Sequence, residues 1–544
     1  MRRLGRLVLM AAVGLAACNQ ALPSASEAPS AIGRHGDAEQ ILRLSYSEVG
    51  SLDPAGYFDG TLNLLVRGLT GLDEDMRTVP AIAESWDVSA DGTHLTFHLR
   101  EARYSNGDPI VAADFVYGWR RLLDPRIGFG WGYLLADLVG AADLLALTPD
   151  SVPADEVIDS MLAGLGVSAP DERTLEVDLA RPAAYFATVA YFPALAPVPE
   201  SWITRPGATE GGAFVSSGPF VLTEWVHDQR RTFEPNPMWW GDPTTLRRIE
   251  MRVFGSEEEA LEAFRQGEID LLGVPALPGA EDLDALAQPR PGSSFWYIGF
   301  DMLKPGSPTA RSPALRRALG LATDRDELNA VVGFSGPVAG SPIPPGVPGH
   351  DPDLRPAFDP VAARRSLADA LVELGLSDVS ELQLTFLHGT MVGDGPQYLE
   401  LQWRTNLGID VEFVGLEVDE YFDRLHAGHD FDMFWVGWIA DYPHPQSYLE
   451  PSWGCQQPAN YGGYCSQAFE ELLDQAARTG DIDSQLALYA DAQRLLVEDP
   501  AAIFLQWPGG YALVAPWVEG LVLTPMDDTP GSLFLDQIRI SARD

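Results

Sequence analysis

Nine histidines and 78 acidic residues are the groups from which catalysis or metal binding would have to be assembled. Their spacing supports neither. The chain has no HExxH pair, no GxSxG turn and no GxxxxGK[ST] loop, so the common sequence patterns for a zinc hydrolase, a serine acyl transferase and a phosphate cradle are missing. His94 and His98 are four apart in an alternating stretch, which separates them along one face of a strand. His426 and His429, followed by Asp430 and Asp432, form the best metal-like cluster, for which a solvated turn is the simpler account. Pairs of carboxylates are inevitable at this acidity, so their number cannot argue a glycosidase dyad. The chain reads as one without catalytic residues, metal ligands or cofactor.

Aromatic residues are more informative. Fourteen tryptophans sit beside turns and acids: Trp131 with Tyr133 in FGWGYLL, Trp239 and Trp240 in NPMWWGDP, Trp435 and Trp438 in FWVGWIADYPHP, and Trp507 in LQWPGG. An indole joins a large apolar face to a polar edge and suits the wall of a ligand chamber. Core packing competes for each of them.

Alternating short strands and helices must position these groups, as in an α/β or mixed architecture. Leu95, Phe97 and Leu99 alternate with His94, Thr96 and His98 between Thr93 and Arg100, a half-buried strand. Turn chemistry at Asn106 to Pro109 precedes a helix from Ala112 to Leu123, stopped before Pro125. In SEEEALEAFRQGEIDLLG an acidic helix start leads to a buried strand from Ile269 to Leu272. Residues 361–374 and 466–477 have helical spacing, and proline-rich connectors at 193–199, 305–313 and 337–348 are candidate boundaries. The 544 residues suggest roughly three domains. A net charge of −42, with Lys304 the sole lysine, excludes a nucleic-acid binder as the default reading. With 46% hydrophobic and 21% charged residues the chain is ordinarily globular, so the acidity is a surface property.

Arg2, Arg3 and Arg6 precede an apolar run from Leu7 to Ala17, the layout of a secretory signal peptide. Leu15, Ala16, Ala17 and Cys18 resemble a lipobox, in which cleavage leaves the cysteine as a lipid-bearing N-terminus. Residues 1–17 are thus expected to be a lipoprotein signal peptide, and 18–38, rich in Ala, Ser, Pro and Gly, a lipid-anchored flexible tether. Cys455 and Cys465 remain as an even pair in an oxidising compartment, where a disulfide across QQPANYGGY is expected.

Four segments in order carry a family resemblance. They are residues 47–54 with 80–125, residues 216–242 with 264–270, residues 311–328 and residues 431–449, the last reading FDMFWVGWIADYPHPQSYL. Together they resemble the peptide-type extracellular solute-binding proteins (family 5) of bacterial ABC importers, closest to the oligopeptide-binding members. The resemblance implies a two-lobed, hinged α/β fold of the class II periplasmic-binding-protein type, with an extra domain inserted in the N-terminal half. Residues 39–70, 200–293 and 509–544 would form lobe I, 71–199 the extra domain and 294–508 lobe II. It further implies a monomer in the periplasm or cell envelope, lipid-anchored to a membrane, that binds peptide between closing lobes and delivers it to importer permease subunits in the cytoplasmic membrane.

The resemblance places the α-ammonium of a bound peptide on Asp441, with Trp435, Gly437 and Ile439 offering backbone to an added strand. Trp131, Tyr133, Trp438 and Trp507 would be chamber walls, and Asp59 a second acidic contact. Trp435 stands where close oligopeptide binders carry an arginine for the peptide C-terminus; a second such arginine corresponds to Arg424. Alternative readings are the same fold with a nickel chelate, haem, cell-wall peptide or sugar, and an exported carboxylate-dependent hydrolase.

Overall fold

The computed structural model describes residues 39–542 except 57, 58, 129, 149, 150, 334 and 356; the signal segment and the whole tether, Cys18 included, lie outside them. Three sheets organise the chain. In the first, seven strands run in the order Ala287–Arg290, Gly510–Val514, Leu271–Val274, Ile41–Ser45, Arg248–Arg252, Arg230–Pro235 and Phe220–Val226. Its core is apolar and sequestered, with Leu42, Leu44, Ile249 and Leu513 fully buried. The helix Glu257–Arg265 that feeds it begins at Ser256, whose hydroxyl accepts the Glu259 amide at 3.2 Å, and three glutamates follow at the positive end of the helix dipole.

Strands Ala83–Val88, His94–Leu99, Thr174–Asp178 and Val167–Asp171 form an antiparallel four-stranded sheet. Leu95, Phe97 and Leu99 point inward, as their alternation requires, while His94 and His98 each meet an aspartate, Asp178 at 2.7 Å and Asp87 at 2.9 Å. Helix Ala112–Leu123 has the expected limits and anchors this unit through buried Trp119, whose indole donates to the Leu195 carbonyl at 3.0 Å.

The third sheet has the order Glu412–Leu416, Thr385–Gly389, Met433–Ile439, Ser294–Phe300, Ala502–Gln506. The proline-rich segments 305–313 and 337–348 both touch this sheet, the first through Ser307 and Thr309 on Asp432 and the second through the bridge of Val338 with Gln506. Lys304 is tied to buried Asp432 at 2.8 Å, and the Trp507 indole donates to the Ser341 carbonyl at 3.0 Å. The strand expected at Ile269 begins two residues later. Asp270 accepts the Arg43 amide at 2.9 Å and the Trp517 indole at 2.8 Å with its side chain, while its backbone already bonds Arg43 and Ala515, and the regular strand runs Leu271–Val274. Cys455 and Cys465 are joined as a disulfide.

Two chain crossings link the first sheet to the third, residues 291–293 and 507–509. They run side by side, and their backbones press together: a Cβ on Gly292 would lie 2.2 Å from the Pro508 carbonyl oxygen, and one on Gly509 2.5 Å from that of Arg290. Only glycine allows this approach. Gly292→Ala is expected to lower the thermal unfolding midpoint, with a cost of about 1–3 kcal/mol for the forced backbone shift. Gly480→Ala, where an added Cβ meets nothing within 4 Å, is expected to be near neutral in the same melt.

Candidate functional site

Strand Met433–Ile439 ends in the turn that carries Asp441, and helix Pro445–Trp453 begins directly after it. His444 closes the turn. Its Nδ1 accepts the Gln446 amide at 3.2 Å, and its Nε2 lies 2.9 Å from Gln485 Oε1. Burial pushes the imidazole down to about 4, so it is neutral at physiological pH. The accepting role of Nδ1 puts the proton on Nε2, where it is donated to Gln485. Asp441 is therefore fixed between a strand end and a capped helix start.

Two tyrosines from the four-stranded unit hold Asp441. The Tyr133 hydroxyl donates to its carboxylate, and the Tyr191 hydroxyl donates to its backbone carbonyl at 3.2 Å. Burial raises the carboxyl group to about 6, and the Tyr133 hydrogen bond pulls the other way; no cation among the described residues contributes. At neutral pH the group is ionised, at a cost of about 3 kcal/mol relative to an exposed aspartate. A cationic ligand group would relieve that cost.

The strand before the turn has one open edge. Ser294–Phe300 pairs along its whole length on one side, whereas on the other Thr385–Gly389 pairs only through Phe386 with Met433 and Leu387 with Phe434. Ala440 donates to Ser293 on the paired side at 3.1 Å. Peptide groups alternate between edges along a strand, so those of Gly437 and Ile439 face the open edge. Trp435 also faces it, but its carbonyl accepts the Tyr421 hydroxyl at 2.6 Å. Its contribution to an added strand is thereby reduced.

The other expected residues have different fates. The Trp435 side chain is enclosed in the core against Gly395, and Trp507 is nearly as buried beneath the 337–348 loop, so neither offers an open wall in this structure. Trp438 is half-buried, its indole donating to the Ser447 carbonyl at 2.7 Å, and Trp131 packs on Phe192 with ring centres 4.9 Å apart. Asp59 is committed inside its own lobe: one carboxylate oxygen is 2.5 Å from Arg231, and the other accepts the Thr61 amide at 2.8 Å. Arg424 pairs with Asp430 at 2.8 Å near the end of its helix. Lys304 is likewise paired with Asp432.

The sequence from residue 77 to residue 460 matches the model of the bacterial extracellular solute-binding proteins, family 5 Middle. The chain belongs to this family. It is 30% identical over 519 residues to the periplasmic oligopeptide-binding protein OppA of Escherichia coli (strain K12), covering 91% of this chain and 92% of that one. It is also 30% identical over 516 residues to the probable deoxycholate-binding periplasmic protein YgiS of the same organism, covering 90% and 92%. Among solved structures, the MppA periplasmic murein tripeptide binding protein in its unliganded open form superposes with a TM-score of 0.80 at 25% identity, covering 93% of this chain and 98% of that one. The three sheets described above thus belong to the two-lobed family 5 architecture.

Sequence reasoning missed Tyr191. It lies in AYFATVAYFP, whose aromatic spacing is that of a core helix and gives no hint of a partner 250 residues away. Since the Tyr133 bond holds the Asp441 carboxyl down, Tyr133→Phe is expected to move its titration midpoint further above about 6. A carbon-13 NMR titration of the Asp441 carboxyl carbon would read this directly; an unchanged midpoint would mean the bond is not made.

Proposed function

We propose that this protein is the substrate-binding lipoprotein of an ABC importer. It captures oligopeptides between lobe I (39–70, 200–293 and 509–544) and lobe II (294–508), with 71–199 as the extra domain. As a monomer anchored to a membrane through Cys18, it would carry them in the periplasm or cell envelope to the permease subunits, catalysing nothing itself. The paired crossings at 291–293 and 507–509 would be the hinge.

The observation that carries this reading is a desolvated carboxylate without a counter-cation among the described residues, placed at the end of a strand whose edge is open at Gly437 and Ile439. A peptide N-terminus presents an ammonium followed by an extended backbone, and the site offers one partner to each. Charge-assisted hydrogen bonds to the ammonium are worth about 1.5–3 kcal/mol, and strand addition gives affinity without reading side chains. The similarity to YgiS leaves identity alone unable to choose the ligand. A bile-acid carboxylate, however, would face Asp441 as a like charge. The cations that serve peptide C-termini in close relatives are replaced by Trp435 or engaged, as Arg424 is by Asp430. Peptides whose tails leave the chamber, or whose ends are modified, fit this better than short peptides with a bound carboxylate.

Calorimetric titration with free-amine peptides is expected to show Asp441→Ala weakening binding by roughly 3–5 kcal/mol, because the ligand charge would be buried unpaired. Unchanged affinity would remove Asp441 from the site. The pH dependence follows from the raised carboxyl. Bound ammonium favours the ionised form, so affinity is expected to fall as pH drops through about 6 and to level off above 7. Native mass spectrometry of the purified protein is expected to find co-purified peptides; an oligosaccharide or a metal complex in their place would overturn the reading.

A further inference from the structure

The helix that follows Asp441 is joined to the inserted unit by a chain of polar contacts centred on Arg181. The Arg181 guanidinium spreads over three acceptors: Asp137 at 2.5 Å, Glu450 at 2.6 Å and the Tyr185 hydroxyl at 2.8 Å. Tyr185 in turn donates to the second oxygen of Asp137 at 2.7 Å. Glu450, on helix Pro445–Trp453, accepts the Gln446 amide nitrogen at 2.7 Å, and the same nitrogen lies 3.3 Å from the Tyr185 hydroxyl. With its nitrogen so engaged, Gln446 must turn its oxygen to the Tyr442 hydroxyl, which donates to it. Tyr442 is the residue next to Asp441. Glu450 and Asp137 are both mostly buried, and Arg181 is the cation between them.

Resting on the peptide-binding reading above, we propose that Arg181 is a positioning residue for ligand recognition: through Glu450, Gln446 and Tyr442 it sets the Asp441 turn in the register that meets a ligand ammonium. The charges show why one side chain can do this. Without Arg181 two carboxylates would face each other with no cation, so Glu450 would swing away and free Gln446 to turn over. Tyr442 would then lose its acceptor, leaving the turn held by Tyr133, Tyr191 and the His444 cap but with no side-chain tie at the residue next to Asp441. Lysine preserves the charge but cannot serve three acceptors in the fixed fork of a guanidinium. The extra domain thereby takes part in recognition from outside the two closing lobes.

The test compares pooled random pentapeptide amides with free N-termini against the same pool N-acetylated, titrated into wild type, Arg181→Ala and Arg181→Lys. Wild type is expected to prefer the free-amine pool, and Arg181→Ala to reduce that preference about tenfold while binding the acetylated pool as before. Arg181→Lys is expected to recover part of it. Equal weakening toward both pools, or an unchanged preference, would overturn the positioning role. Wild type with no preference would instead sink the Asp441–ammonium reading on which the proposal rests. Should Arg181→Ala not fold, Glu450→Gln keeps the arginine paired with Asp137 and is expected to lower the same ratio.

Discussion

An ionised carboxylate in a poorly solvated place needs a reason to stay there, and Asp441 organises its surroundings around that requirement. Among the described residues it lacks the usual remedy, an adjacent cation, and has a tyrosine hydroxyl instead. A tyrosine stabilises the charge less than an arginine would, which leaves the group electrostatically incomplete. On the proposed reading this would be useful, since a counter-cation built into the site would compete with the ligand. The strand, the capped helix and neutral His444 fix the position of the charge, so that binding of the proposed ligand would not need to supply its ordering.

The same economy extends to the backbone. Ser294–Phe300 occupies one edge of the Asp441 strand in full, while its parallel neighbour diverges after Phe434 and leaves the other edge open. An open edge invites unwanted pairing, and here it is short and ends at an acidic turn. The ammonium and the extended chain of a peptide would therefore be read by adjacent features of one element. The close backbone contact at Gly292 and Gly509 serves a different need, letting two connections pass between sheets with no side chain wedged between their backbones at those two positions.

Much of the fold was legible because its cues are local. Alternation placed Leu95, Phe97 and Leu99, and turn chemistry with Pro125 bounded the helix at Ala112 and Leu123. The strand at Leu271 was misplaced by two residues, and the buried bonds of Asp270 with Arg43 and Trp517, partners far off in sequence, were not legible at all. Tryptophans were the least readable. Trp435 and Trp507 look in sequence like Trp438, yet they are enclosed, because strand parity and a covering loop decide which face an indole meets.

By itself the sequence determined the strands and helices, whose periodicity is local, while the two-lobed architecture and the choice of Asp441 followed from a family resemblance, carried for Asp441 by the contiguous run Gly437 to Pro445. What surrounds that aspartate was decided by the tertiary structure alone. Tyr133, Tyr191 and Arg181 reach the turn or its helix from a different unit, and Asp59, an acid of similar appearance in sequence, is neutralised by Arg231 across 172 positions. Whether a carboxylate is left wanting a cation depends on which charges the fold brings within a few ångströms, and no local pattern encodes that distance.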